Sequence, residues 1–550
     1  MARYVRLAFR VNEYRYSTPR KNPIDKNYFC YNEYRMSEII DSSLKRAAKG
    51  VTLVLGSIAF SQLLWFFIKI LIVRNTTKAE FGIYSLVLSI LGILTTIVSL
   101  GIPSGVTRFV SIHHGEEKPE QADAISRAGV QMMLAAAPAA FFFLYFLSGP
   151  IARSVFYTPA LSTPLKIVSF LAPFGVTTSA VSGVLLGYGI IRQRLLSDVL
   201  SPALYLILIL ASIFFGMHFM GILYAFVLSG AVISILSVVY GLRKLGARPF
   251  LPRSGRHHAD LLKFSIPLLA STIMSMVLVW ADTLMLGRYS TTADVGTYGV
   301  SVSLVNPLLF PLLALGYVFL PIASGIYAKK QTGELRRVYQ VLTKWVFATT
   351  LPIFFVLFFF PEMTITLLFG SRFVDASLSL RILAVGFMLN AFLGTNGILL
   401  TVLGLTKTIM KISIVGAIIN VALNYILIKR LGMGITGAAF ATMVSYIIIN
   451  LLYSLSLLRY NGLHPFTAAY LKPLAGAAVI GLILYAVAKC VPLHLWMLPI
   501  YFFLFMGGYA ASFLITRSIE REDIFIFREV MGKLGIEGAV AVSFLDRFVR

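Results

Sequence analysis

The chain has 550 residues, of which 58% are hydrophobic and only 13% are charged, and its formal net charge is +25. A soluble domain is about half apolar and a quarter charged, so this composition excludes an ordinary soluble protein and indicates that lipid is the solvent. The basic residues lie in short clusters between apolar runs, which is typical of a membrane protein and argues against nucleic acid as a partner.

The first 50 residues form a polar segment that is rich in Tyr and Arg and has no apolar stretch of the kind that a signal peptide needs. Met36 begins "MSEIIDSSLKRAAKG", which reads as a short lead into the first membrane helix. We therefore expect residues 1–50 to be cytoplasmic. We expect residues 1–35 to be disordered, or to reflect an upstream start codon.

Fourteen apolar runs are long enough to cross a bilayer, which takes about 20 residues in a helix. They lie at 51–73, 81–108, 126–148, 166–188, 198–216, 219–241, 264–286, 295–323, 341–360, 379–404, 408–428, 433–457, 472–491 and 494–516. The predicted fold is thus an all-α integral membrane protein with about 14 transmembrane helices.

The Lys and Arg residues predict the orientation. The two termini and the even-numbered loops carry 37 of them, whereas the odd-numbered loops carry 10. Because cytoplasmic loops are enriched in basic residues, we expect both termini to be cytoplasmic and the protein to be multi-pass in a plasma or inner membrane. The odd-numbered loops are short, and an enzyme acting on the outer face would need more room for its catalytic residues.

An internal repeat spans most of the chain. "TKAEFGIYSL" at 77–86 and "TTADVGTYGV" at 291–300 match without a gap at an offset of 214 residues, and two further stretches match at nearly the same offset. We infer two six-helix lobes, related by an axis along the membrane normal. The predicted organisation is an N-lobe (51–241), a basic cytoplasmic linker (242–263), a C-lobe (264–457), two additional helices (472–516) and a cytoplasmic tail (517–550).

The order and spacing of several stretches resemble the polysaccharide-export flippases of the multidrug/oligosaccharidyl-lipid/polysaccharide (MOP) superfamily. Relatives of that family include the lipid II flippases and the multidrug and toxic-compound extrusion (MATE) exporters. The matching stretches are "SLKRAAKGVTLVLGS", "KAEFGIYSLVLSILGILTTIVSLGIPSGVTRFVS", "FSIPLLASTIMSMVLVWADTLMLGRY", "VGTYGVSVSL", "LPIASGIYAKK" and "LGMGITGAAFATMVS". The resemblance covers residues 43–516 and implies a MATE-like fold.

The resemblance also implies a translocase for a polyprenyl- or dolichyl-(pyro)phosphate-linked oligosaccharide, working by alternating access, with sodium or protons as a possible coupling ion. The alternative is a cation-coupled multidrug exporter of the MATE type, which should carry prominent carboxylates in its first lobe. A membrane enzyme is disfavoured by the short outer loops. We expect no cofactor and no metal site, since phosphate-loop and metal-ligand spacings are missing from the sequence. A monomer is expected to suffice.

Two charged residues inside apolar runs are candidates for substrate binding or gating. Lys69, in "WFFIKILIV", either extends to the outer headgroups or faces the central cavity and meets a lipid phosphate. Asp282, in "VLVWADTLMLG", is too short to reach the headgroups, and buried charge is costly unless it is paired or used. The repeat places Asp282 close to the position equivalent to Lys69, so we predict that the two form an ion pair.

Other basic residues lie at or inside the ends of predicted spans. Arg108 is either an interfacial anchor or, as the resemblance favours, a cation at the edge of the cavity. Arg381, Lys411 and Lys344 have the same two interpretations, with anchoring as the simpler one. Arg suits phosphate through its bidentate fork, whereas Lys acts as a point charge.

Overall fold

The computed structural model describes residues 56–190, 192–193, 196–248, 250, 258–465, 471–490 and 497–515. The predicted N-terminal segment, part of the linker and the C-terminal tail lie outside these ranges. Throughout the described ranges the regular structure is α-helix with short π and 3-10 turns. The prediction of an all-α membrane fold is therefore confirmed.

Nineteen α-helices are described. In chain order they are α1 Gly56–Arg74, α2 Lys78–Ser99, α3 Ile102–Gly115, α4 Pro119–Pro150, α5 Ser162–Ser169, α6 Leu171–Gly187, α7 Ser201–Phe214, α8 His218–Leu245, α9 His258–Tyr289, α10 Thr292–Val305, α11 Phe310–Ala328, α12 Thr332–Phe359, α13 Pro361–Phe369, α14 Ser377–Leu393, α15 Thr395–Val402, α16 Thr406–Asn424, α17 Gly434–Asn461, α18 Leu471–Cys490 and α19 Leu498–Ile515.

Each of the fourteen predicted runs overlaps at least one of these helices. Ten helices of the described ranges are long and apolar enough to cross a membrane, and an eleventh span results if the pair α5 and α6, bent by 43°, is counted as one. Shorter apolar helices lie within α18 and α19. The structure thus supports a multi-pass membrane protein, while the number fourteen stays a prediction.

Several predicted spans are interrupted, and two of the breaks have a clear local cause. The run 81–108 is divided between α2 and α3, because Leu100 (φ 48°) and Gly101 (φ 68°) both have left-handed backbone conformations. A Cβ atom at Gly101 would lie 2.7 Å from the carbonyl oxygen of Ser265, so the close approach of α9 also requires glycine there. The run 295–323 is divided by a 3-10 turn that contains Pro307.

The helices have two ends, which we call outer and inner as the positive-inside rule predicts. Near the predicted outer end, a single apolar core joins both lobe ranges, including Leu86 and Tyr205 from the first and Leu304 and Phe373 from the second. Toward the predicted inner end the two ranges have separate cores. Helix α9 is the exception, because its Leu261 packs into the core of the first range. The ranges are therefore fused at one end and diverge toward the other.

Candidate functional site

The repeated stretches begin α2 and α10 with the same capping box. Thr77 and Thr291 are the N-cap residues, and each side-chain oxygen accepts from the backbone N–H of an acidic residue three positions later, Glu80 and Asp294. The carboxylates accept in return from the backbone N–H groups of the two threonines, at 2.7 Å and 3.2 Å. The repeated sequence thus forms the same capping box twice at the predicted outer end.

Helices α2 and α10 touch each other through the repeated glycines. A Cβ atom built on Gly82 would lie 1.8 Å from the carbonyl oxygen of Thr292, and one built on Gly296 would lie 2.0 Å from that of Lys78. Contacts this short leave no room for any side chain. Glycine at both positions is therefore explained by the approach of the two backbones, which closes the space between the lobe ranges at this end.

Basic side chains join the same end across the lobe boundary. Arg74 Nε donates to the carbonyl oxygen of Leu368 at 2.9 Å, and Arg372 Nη2 donates to that of Val73 at 2.6 Å. The ammonium of Lys78 pairs with the carboxylate of Asp375 at 2.5 Å. These residues were not predicted as contacts from the sequence, since only their position at predicted span ends distinguished them.

Asp282 lies in a buried polar cluster inside the C-lobe range. Its side chain is 4% exposed. The hydroxyl of Tyr298 donates to Asp282 Oδ2 at 2.5 Å, the hydroxyl of Thr442 donates to the same oxygen, and Nδ2 of Asn424 donates to Oδ1 at 2.6 Å. Nδ2 of Asn420 lies 3.5 Å from the same Oδ1. Four helices, α9, α10, α16 and α17, thus converge on one carboxylate.

One oxygen of this Asp282 cluster is unsatisfied. The side-chain Oδ1 of Asn424 is buried and has no hydrogen-bond partner. With the carboxylate of Asp282, the Oδ1 of Asn420 and the hydroxyl of Thr442, it makes an oxygen-only set, which suits a hard cation or a proton. Within the described ranges, three or more His, Cys, Asp or Glu side chains do not gather anywhere as a metal-binding group.

The predicted ion pair between Lys69 and Asp282 is not formed, so that prediction is wrong for this conformation. The carboxylate of Asp282 is engaged inside the C-lobe range. Lys69 is partly buried on α1 and has neither a hydrogen bond nor an ion pair within the described part of the chain. The repeat gave equivalent sequence positions but not the rotation of each helix, which decides where a side chain points.

The other predicted candidates lie in separate environments. Arg108 is exposed on α3, with its guanidinium 4.6 Å from the ring centre of Phe264 on α9. Arg381 pairs with Glu362 at 3.1 Å, as an anchor would. Lys411 is exposed on α16, and Lys344 is buried on α12. No hydrogen bond or ion pair of the described residues joins one of these candidates to another.

A cavity of about 600 Å³ lies between the first lobe range and α9. Of the sixteen described residues that line it, ten are Ser or Thr and none is charged. The lining residues are Thr95, Thr96, Ser99, Gly101, Pro103, Ser104, Thr107, Gly175, Thr178, Ser179, Ser182, Gly183, Leu186, Ser197, Leu269 and Thr272. This cavity was not predicted from the sequence, although the Ser, Thr and Gly clusters "TTIVS", "PSGVT" and "TTSAVSG" inside apolar runs indicate it.

Comparison with known proteins agrees with this architecture. The family profile described as polysaccharide biosynthesis protein matches residues 47–327, and the MatE profile matches residues 267–426. The solved structure "Lipid II flippase MurJ, inward closed conformation" aligns with a TM-score of 0.68 and 16% identity, over 84% of this chain and 98% of that chain. At that identity the likeness shows the fold alone.

Two curated relatives extend the comparison. The chain is 22% identical to stage V sporulation protein B of Bacillus subtilis over 74% of its own length and 82% of that protein. It is 25% identical to the probable low-salt glycan biosynthesis flippase Agl15 of Haloferax volcanii over 40% of its own length and 46% of that protein.

The fold and these matches define a membrane protein of the MOP superfamily, as the sequence resemblance predicts. Within that class, the chain belongs to the polysaccharide biosynthesis protein family, whose profile covers more than half of it.

Proposed function

We propose that the protein is a flippase that moves a polyprenyl- or dolichyl-(pyro)phosphate-linked oligosaccharide from the cytoplasmic to the outer leaflet. The observation that carries the proposal is the cavity of about 600 Å³, lined with hydroxyl groups inside a chain that is otherwise apolar. Such a cavity suits a polar, hydroxyl-rich headgroup. Membership of the polysaccharide biosynthesis protein family supports the same substrate class.

The physical task of a flippase is to shield the sugar from hydrocarbon. Burying a polar group without a hydrogen bond costs about 2–7 kcal/mol, and an oligosaccharide carries many hydroxyl groups. In the proposed cycle the sugar occupies the cavity while the lipid tail stays in the bilayer. The closure at Gly82 and Gly296 keeps the outer end sealed until the lobes rock, as alternating access requires.

The Asp282 cluster is the proposed coupling site. Its unsatisfied Asn424 oxygen and its single carboxylate would take a sodium ion or a proton. Occupancy would change the charge balance where α9 meets α10, α16 and α17. Because α9 also lines the cavity through Leu269 and Thr272, a movement of α9 on ion binding would change the shape of the cavity.

Lys69 is the proposed contact for the lipid phosphate. It has no counter-ion in the described part of the chain, and a partly buried cation within a membrane helix is costly without one. A phosphate would supply the missing charge. The competing interpretation remains that Lys69 extends to the outer headgroups and takes no part in transport.

A cation-coupled multidrug exporter is the second candidate. It is favoured by the MatE match over residues 267–426, which contains the buried carboxylate of Asp282. Against it, this carboxylate is in the second lobe range, whereas we expect such an exporter to rely on carboxylates of the first. We also propose that the protein is a transporter rather than an enzyme, and that it acts as a monomer in the plasma membrane.

The deciding experiment is the analysis of lipid-linked glycans in a deletion strain. Loss of the flippase should leave lipid-linked oligosaccharide accumulated in the cytoplasmic leaflet, where it resists an impermeant glycosidase added to intact cells. Expression of the intact protein should restore cleavage. Unchanged glycan distribution, together with increased sensitivity to amphipathic cations, would instead support the exporter.

A further inference from the structure

The hydroxyl-lined cavity differs in its chemistry from a phosphate-binding site. Among the residues that the structure describes, its lining includes no Lys, Arg, Asp or Glu. Phosphate is recognised in proteins by Arg or Lys, or by free backbone N–H groups at a helix N-terminus. Backbone N–H groups and hydroxyl groups are the remaining donors of this cavity that could bind a phosphate.

The backbone offers little to an anion. Helix α3 begins at the cavity wall, but its first turn has few free donors. Pro103 has no N–H, and the N–H groups of Ser104 and Gly105 already donate to the carbonyl oxygen of Gly101, at 3.2 Å and 3.4 Å. Of the first four residues of the helix, only Ile102 keeps an N–H that is not used in this way.

Most of the hydroxyl protons are also engaged. Six lining hydroxyls donate to oxygens of the protein at 2.6–2.9 Å. Five of the acceptors are backbone carbonyl oxygens, and the sixth is the side-chain Oε1 of Gln193. The six donors are Thr95, Ser99, Thr107, Thr178, Ser179 and Ser182. A hydroxyl that has donated its proton still has lone pairs, so these groups face a ligand as acceptors.

Free donors are fewer. Thr96, Ser104 and Ser197 line the cavity, and their hydroxyls have no partner among the described residues. Behind the wall, Ser182 donates to Oε1 of Gln193, whose Nε2 is buried and unpaired. The cavity thus presents many acceptors and a few neutral donors. Sugar hydroxyls, which bring one donor each, match this set, whereas a phosphate brings only acceptors.

We propose that the cavity is a subsite for uncharged sugar residues, and that it excludes the phosphate group and acidic sugars. The proposal rests on the proposed function and specifies the part of the substrate that this cavity holds. The volume of about 600 Å³ lies within the range of about 300–1,000 Å³ of small-molecule sites, so a short neutral oligosaccharide can enter. The charged part of the substrate must then lie outside the cavity.

The test is protection of a cysteine in the cavity wall. The full-length protein carries Cys30→Ser and Cys490→Ser, with Ser179→Cys as the reporter, in nanodiscs of phosphatidylethanolamine and phosphatidylglycerol. Alkylation by N-ethylmaleimide is timed with maltotriose, chitotriose or inorganic pyrophosphate added. We expect a neutral trisaccharide to slow alkylation in a saturable manner and pyrophosphate to have no effect. A cysteine at Ser324, exposed on α11, should not be protected.

Variants of residues in the cavity wall test whether the free hydroxyl groups bind the sugar. Thr96→Val and Ser104→Ala each remove a free hydroxyl, and one lost hydrogen bond should raise the half-protecting trisaccharide concentration about fivefold. Thr401→Val, on α15 outside the cavity lining, removes a hydroxyl that donates to Gly397 and should change nothing. Equal protection in all three variants would overturn the proposal.

Two further outcomes separate this subsite from the proposed function. Protection by pyrophosphate at lower concentration than by trisaccharide, or no protection by either trisaccharide in a protein that still flips lipid-linked glycan, overturns the subsite alone. Protection by trisaccharide in a protein whose deletion leaves lipid-linked glycans unchanged supports the subsite and overturns the flippase.

Discussion

Asp282 shows what one carboxylate requires inside an apolar chain. Three hydrogen bonds at 2.6 Å or shorter come from Tyr298, Thr442 and Asn424, and these donors would be left unpaired if the carboxylate were removed. Because a buried charge of this kind is costly unless it is used or paired, the cluster and the unsatisfied oxygen nearby support the proposed ion site.

Asp282→Asn is expected to remove ion coupling while keeping the fold. The amide has nearly the same size but no charge and only one acceptor oxygen, so the cluster loses about 1–3 kcal/mol of stability. Transport by reconstituted protein should no longer respond to a sodium or proton gradient, and the thermal unfolding midpoint should fall modestly. Glu334→Gln, in the first turn of α12, is the matched control. An unchanged gradient response in Asp282→Asn would show that this site does not couple transport.

Lys69 and Asp282 are expected to act independently. Their side chains share no hydrogen bond or ion pair in this structure, and independent sites add within about 0.5 kcal/mol. The factor by which the double variant Lys69→Ala, Asp282→Ala slows flipping should therefore equal the product of the factors measured for the two single variants. The exchange of the two residues should not restore flipping. Recovery of activity by that exchange would show that the two pair in another state of the cycle.

The sequence identified Asp282 but not its partners. An acidic residue within an apolar run can be recognised from the sequence alone, because burying a charge costs free energy in lipid and in a protein core. The Asn and Thr partners lie 138–160 residues further along the chain. Their approach depends on helix rotation, which a hydrophobic run without a polar face does not fix. The hydroxyl-lined cavity was missed for a related reason, since Ser and Thr are also common where helices merely pack.

At the scale of elements, the crossing of α2 and α10 is the best-defined contact between the lobe ranges. The repeat predicted two copies of one six-helix unit. At these two helices the structure shows the same local structure in both copies, a capping box followed by a glycine that contacts the other copy. The break within 306–309 lies in a run whose prolines and glycines already indicated an interruption. The break at Leu100 was not predicted, because hydropathy indicates whether a segment is long enough to span the membrane but not the direction of its backbone.

Gly82→Ala is expected to open the predicted outer end. Its methyl group would overlap the carbonyl of Thr292, and overpacking of this kind costs about 1–3 kcal/mol, which the protein relieves by separating α2 from α10. A cysteine at Ser85, on α2 beside Gly299, should then react faster with an impermeant thiol reagent added outside. The control is Gly325→Ala, where the methyl group meets no atom within 4 Å. Equal labelling in both variants would mean that this crossing is not the closure.

At the scale of the whole molecule, orientation follows from charge. The termini and even-numbered loops carry 37 basic residues, whereas the odd-numbered loops carry 10. A cysteine introduced at Ser254 in the 242–263 linker should therefore face the cytoplasm. It should resist an impermeant maleimide in intact cells and react after permeabilisation. Position 254 lies outside the described residues, so the prediction rests on sequence alone. Rapid labelling in intact cells would reverse the assigned orientation.

The central claim is that this protein moves a lipid-linked glycan across the bilayer. The direct measurement uses proteoliposomes loaded with a polyprenyl-pyrophosphate-linked neutral oligosaccharide and an impermeant glycosidase added outside. With the intact protein and an imposed sodium or proton gradient, the cleaved fraction should rise beyond the half that is accessible at the start, and Asp282→Asn should remove the gradient dependence. A cleaved fraction that stays at one half under both gradients, while the same vesicles transport a fluorescent amphipathic cation, would contradict the account.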